Sequence, residues 1–132
     1  MEKKASLLEI LAKIKQRPGL YIGRPSVSDL FMFLVGYKTA RRELGIEPTA
    51  EEIQFHQEFH PFVENKYNVK TSNSWAKIIM LYCSDEKHGF DQFFQLLEEF
   101  QQKKERRKPA ERIEEFDLDK LEESFLERSE FI

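Results

Sequence analysis

Residues 17–37 read RPGLYIGRPSVSDLFMFLVGY, and the fold turns on this stretch. It holds two of the five prolines, three of the five glycines and the longest apolar run, Leu30 to Val35. Pro18-Gly19 makes a rigid turn that feeds a short extended piece, Leu20-Tyr21-Ile22, and Gly23 and Pro25 then break the chain again. Ser26-Val27-Ser28-Asp29 has the pattern of a capping box, in which a hydroxyl and an acid three residues later satisfy the free amides of a starting helix. The next helix is apolar on nearly every side (Phe31, Met32, Phe33, Leu34, Val35), which predicts a buried central rod. Gly36 would let another backbone approach that rod closely, against a helix cost of roughly 1 kcal/mol. Leu44-Gly45 should end it, with Gly45 as the left-handed cap.

Upstream, Leu7, Ile10, Leu11 and Ile14 fall at helical spacing, and Pro18-Gly19 stops that helix. Downstream, Thr49 and Glu52 form a second capping box. The helix they open has an apolar face of Ile53, His56, Phe59 and Val63 or Phe62, and Pro61 should kink or end it near His60. Asn65 to Asn73 is polar and turn-rich, a loop. Ser74 caps a short helix with Trp75, Ile78, Ile79 and Tyr82 on one face. Ser84-Asp85-Glu86 starts another, in which Phe90, Phe93, Phe94, Leu97 and Phe100 recur at helical steps. Pro109 makes a break, and Asp117 would cap a last helix with Leu118, Leu121 and Phe125 facing inward. No segment sustains strand alternation. The expectation is an all-α, single-domain bundle of about five or six helices with a short extended turn near residues 18–25. Residues 1–108 form its core, and 109–132 an acidic helix packed on that core or on a partner.

Composition narrows the function. At 132 residues the chain is long enough to bury a core, and twelve Phe, four Tyr and one Trp supply it with rings. Charged residues make up 34% with both signs mixed and a net charge of −3, which gives no general reason to expect nucleic acid or a lipid surface as partner. Glu9, Lys13 and Lys15 interrupt any signal-peptide core, and no apolar run approaches the ~20 residues of a membrane span. The single cysteine, Cys83, excludes an internal disulfide and fits a reducing compartment. A cytoplasmic protein is expected. Charge is unevenly spread: residues 101–108 carry a net +4, and residues 109–132 a net −6.

Catalytic patterns fail on inspection. His56 and His60 lie four apart on one helical face, as zinc ligands would. The position directly after the first histidine, where a metalloprotease carries its base, holds Gln57; Glu58 points elsewhere, and only His88 remains as a further histidine. The pair therefore reads as structural. Adjacent acids such as Glu51-Glu52 and Glu98-Glu99 diverge by about 100° on a helix and suit a solvated face. No nucleophile elbow or phosphate-binding glycine loop is present. Cys83, beside Tyr82, reads as a small core residue. No enzyme activity, cofactor or metal is expected.

Arg17 to Gly23 (RPGLYIG) resembles a segment near the start of the gyrase B-subunit ATPase domain. In that family the following helix carries an Asn and a Glu for magnesium and water activation; Leu30 to Val35 has neither, and the later D-x-G-x-G loop is absent. The likeness implies a shared turn that packs Tyr21 on a helix. A second resemblance spans residues 7 to 100, through RPGLYIG, FLVGY, FHPFV, SWAKII and FDQFFQLLEEF in order. It is to a family of small, mostly uncharacterised helical bacterial proteins, some of them similar to immunity proteins of polymorphic-toxin systems. The resemblance implies a non-enzymatic binding protein whose partner is a protein, such as a basic toxin domain neutralised by stoichiometric occlusion. The acidic tail after Pro109 lies outside the resemblance; by its charge it would supply the contacts Glu111, Glu114, Glu115, Asp117, Asp119, Glu122 and Glu123, carboxylates able to pair with a toxin's Lys and Arg. The same residues also suit a solvated helix face beside Lys103 to Lys108. Two other classes stay open: a helical structural or adaptor module that forms homo-oligomers through Leu118, Leu121 and Phe125, and a small metal enzyme using His56 and His60.

Overall fold

The computed structural model describes residues 6–105, with backbone alone at Lys104 and Glu105. The acidic residues 109–132 and the helix expected there lie outside the described residues. Within them the chain is all-α: α1 (Leu7–Gln16), α2 (Pro18–Ile22), α3 (Val27–Glu43), α4 (Ala50–Tyr67), α5 (Trp75–Leu81) and α6 (Glu86–Glu105). Ser26, Thr49 and Ser74 each accept a hydrogen bond from the amide three residues on, as the sequence implies, and Ser6, which the sequence reading did not single out, does the same for α1. Thr49 with Glu52 makes the full reciprocal box; of the box expected at Ser26 only the serine half forms, because Asp29 pairs with Arg24 Nε at 2.7 Å.

Phenylalanines on α4 and α6 make the centre of the core. Phe59 stacks on Phe55 at 4.8 Å and meets Trp75, Phe93 and Phe100 edge-on at 5.3, 5.4 and 5.5 Å. Edge-on ring pairs of this kind add about 0.5–1.5 kcal/mol each beyond the area they bury. All five α6 positions expected inside (Phe90, Phe93, Phe94, Leu97 and Phe100) are buried, joined by Leu96. Leu7, Leu11 and Ile14 of α1 and Ile78 and Ile79 of α5 complete a continuous cluster, the packing of a single helical bundle.

Several expectations need correction. Leu20-Tyr21-Ile22 is not extended; it belongs to the one-turn helix α2, because Pro18 at the first position has a helical φ already set and needs no donor there. Gly23, at φ 86°, ends that turn. The α3 helix is no buried rod. It buries only the stripe Val27, Leu30 and Leu34, and Met32 is 62% exposed, because α3 packs on its neighbours along one side only. Gly36 accordingly faces open space, and the close approach occurs elsewhere, at Gly89 of α6, where a Cβ would lie 2.6 Å from Val27 Cγ1 and 3.0 Å from Met80 Sδ. Pro61 does not end α4 at His60. The helix runs on to Tyr67 and closes at Asn68 in the left-handed region, its two halves held by buried Phe59 and Val63, so the loop begins three residues later than Asn65. The buried face of α4 is Phe55, Phe59 and Val63, with Ile53 and His56 only partly covered, and Tyr82 is exposed beyond the end of α5.

Candidate functional site

The fold clamps α3 at both ends and leaves a groove along its C-terminal half. At its start, Glu86 of α6 reaches across: Oε1 accepts from Ser26 Oγ at 3.1 Å and from Ser28 N–H at 3.0 Å, and Oε2 accepts from Ser28 Oγ at 2.8 Å. Three donors at a helix N-terminus favour a carboxylate there. Burial alone would push the Glu86 pKa up, but the hydrogen bonds from Ser28 and Ser26, with the nearby Arg24 charge, outweigh it and hold the acid below the ordinary range. At the far end, Arg41 Nη2 meets Glu52 Oε1 at 2.9 Å, and the same oxygen accepts from Thr49 N–H at 3.2 Å. The capping box of α4 thus doubles as the fastening to α3, and the two helices pass each other antiparallel.

One turn inward from this clasp on each helix, Lys38 and His56 line a groove of about 500 Å³ between α3, α4 and the loop before α5. Its walls are Phe31, Leu34, Phe55 and Trp75, and Thr71 to Ser74 form a polar rim. Phe31 meets Trp75 edge-on at 5.2 Å, which fixes one wall. His60 and Glu64 stand further along α4; His60 Nε2 lies 3.5 Å from Glu64 Oε2, which also accepts from Thr71 N–H at 3.5 Å and so ties the loop to the helix.

The groove's electrostatics follow from partial burial. Desolvation lowers the Lys38 pKa to about 8, helped by the positive charge of Arg42. Desolvation, reinforced by Lys38, lowers His56 to about 4, so this imidazole is neutral at pH 7. An apolar channel with a half-buried lysine and a polar rim suits a ligand that has an apolar body and a few polar groups.

His56 and His60 do share one face, as their spacing implies, and both border the groove. Among the described residues no group of three or more His, Cys, Asp or Glu side chains is placed to hold a metal. Cys83 is half-buried and packs on the core, and burial pushes its thiol pKa up, away from a nucleophile's range. At the start of α6, Ser84 N–H donates to His88 Nδ1 at 3.1 Å and His88 N–H to Asp85 Oδ1 at 2.8 Å, a cap that occupies the ring nitrogen a general base would use. Among the described residues no helix is long and apolar enough to cross a membrane. Glu111, Glu114, Glu115, Asp117, Asp119, Glu122 and Glu123 lie outside the described residues.

Lys38 is the groove residue that sequence reasoning passed over. A signal exists: the buried stripe Val27, Leu30, Leu34 continues at helical spacing to Lys38, so a charge occupies the next core register. Compared with protein-family models, with curated proteins and with solved structures, the chain matches none.

Proposed function

We propose that this chain is a non-enzymatic binding protein whose partner is another protein, received in the α3–α4 groove. One observation carries the proposal: an open, aromatic-walled channel of about 500 Å³ with a single lysine and a polar loop at its rim. Its size and lining suit the side chains of a docked segment, with ring surface for affinity and a few polar groups for orientation. Its titratable groups favour recognition over proton transfer, because His56 is held neutral by burial and His60 is engaged with Glu64.

The more specific form of the proposal is an immunity protein that neutralises a bacterial toxin by stoichiometric occlusion. It draws on the resemblance described above and on the acidic run Glu111 to Glu123, whose carboxylates would steer and pair with a basic toxin domain. Pull-downs from native lysate at low and high salt, with wild type and Lys38→Glu in parallel, test both levels. A defined partner held by wild type and lost by Lys38→Glu is expected. Equal capture by the two proteins would remove the groove from the interaction, and a purified toxin fully active at excess protein would end the immunity reading.

Self-association is the second reading. Leu44 and Leu81, 74% and 68% exposed, favour it. A strictly monomeric mass at high concentration would dismiss it.

A further inference from the structure

We infer that His56 is the specificity-determining residue of the α3–α4 groove, the hydrogen-bond acceptor for a neutral ring hydroxyl, so that the docked segment of the partner inserts a tyrosine side chain. The inference deepens the binding function proposed above and rests on it.

The first observation is an imidazole with unused hydrogen-bonding capacity. His56 lines the groove and is half-buried. Among the described residues its ring meets Phe55 edge-on at 5.7 Å and makes no hydrogen bond. The other two histidines are engaged, His60 with Glu64 and His88 with Ser84. No buried side-chain nitrogen or oxygen among the described residues lacks a partner, so the ring nitrogens of His56 are still open to a ligand. A neutral imidazole carries one N–H donor and one lone pair, and burial keeps this one neutral at pH 7.

The second observation is what surrounds that ring. Phe31, Phe55 and Trp75 wall the groove, and flat walls of this kind favour offset or edge-on contact with a further ring. The third is charge. The lining carries Lys38 and Glu64, one charge of each sign. The positive field of Lys38 already acts on His56, so a cationic side chain is disfavoured there. Glu64 and the apolar walls disfavour a carboxylate. A neutral ring is selected. Phenylalanine would cover the imidazole and leave its lone pair dry, whereas a phenol O–H donates to it. The phenol oxygen also accepts, which an indole N–H cannot do.

NMR of the full chain with p-cresol and toluene, the side chains of tyrosine and phenylalanine as free molecules, tests the assignment. Both probes should shift the amides of Thr71 to Trp75, with p-cresol bound about 3- to 10-fold tighter, the worth of one neutral hydrogen bond. The ring nitrogen signals of His56 should move with p-cresol and stay in place with toluene, a readout that needs no variant. His56→Phe should keep its far-UV spectrum, bind toluene and level the two affinities. Equal affinities in wild type, an unmoved His56 signal with p-cresol, a preference that survives in His56→Phe, or no shift with either probe would overturn the inference. Tighter binding of skatole, the tryptophan side chain, would overturn the choice of tyrosine. Shifts at Thr71 to Trp75 without discrimination would leave the groove standing as a docking site and His56 without this role. Equal capture of a partner by wild type and Lys38→Glu is the separate result that removes the groove itself.

Discussion

Glu86 caps a distant helix: its carboxylate accepts the backbone N–H of Ser28, 58 residues earlier in the chain, at 3.0 Å. The first turn of α6 thereby completes the N-terminus of α3, which its own serine satisfies only in part. Glu86→Ala should lose all three hydrogen bonds and destabilise the protein by about 2 kcal/mol in urea titrations, and Glu86→Gln by about half of that. Since the folded pKa of Glu86 is lowered, its contribution is present above the ordinary glutamate pKa and is lost as pH falls through the folded value. That part of the acid dependence should vanish in Glu86→Gln.

Two glycines should respond in opposite directions. Gly89→Ala would drive a methyl to 2.6 Å from Val27 Cγ1, a buried β-branched side chain with little freedom to yield, and should cost about 1–3 kcal/mol. Gly36→Ala meets nothing within 4 Å and should stabilise the exposed face of α3 by about 0.5–1 kcal/mol. Unfolding midpoints of the two variants decide this directly; equal shifts of the same sign would contradict the packing of α6 on α3.

The pair Arg41–Glu52 joins two side chains only 14% and 4% exposed. Arg41→Ala would leave Glu52 buried with the donors of its capping box alone and should cost on the order of 3 kcal/mol. Glu52→Gln retains an acceptor for Thr49 N–H and should cost less. Hydrogen exchange in the first turn of α4 would locate the damage.

Lys38 and His56 should make stability rise with pH in two separate windows. His56 titrates at 6.5 when unfolded and about 4 when folded, so between these values the unfolded chain binds more protons and stability grows as pH rises, by on the order of 2 kcal/mol. Lys38 acts likewise between about 8 and 10.5. Lys38→Met should abolish the upper window, raise stability at pH 7, and lift the His56 pKa by removing the adjacent charge. Urea midpoints across pH and the His56 ring signal in NMR check the three outcomes.

The fold was largely legible where spacing and side-chain chemistry act locally. The α6 phenylalanines repeat on one face, and Thr49-Ala50-Glu51-Glu52 needs no distant partner to cap α4. Reading failed where tertiary packing chose among local options. The apolar run of α3 could have been buried all round, yet only Val27, Leu30 and Leu34 meet neighbours. Gly36 looked like the close approach because it sits in that run, but closeness depends on what lies opposite, and Gly89 is the glycine that faces Val27. Pro61 removes one donor, and the burial of Phe59 and Val63 outweighs that loss. The groove was invisible for the same reason: Lys38 and His56 belong to different helices, and only the antiparallel clasp of Arg41 on Glu52 places them side by side.

Tyr67 and Tyr82 lie in parallel stack at 4.4 Å and 8°, one just before the α4–α5 loop and the other just after α5. The two rings close the ends of the segment formed by the loop and the seven-residue α5, and a helix that short, which does not persist unsupported in water, is held by them and by the burial of Trp75, Ile78 and Ile79. The segment carries Ser74 and Trp75, half of one groove wall. Moving that wall would also pull Ile78 and Ile79 out of the core, so the channel is only as easy to widen as the core beneath it is to open.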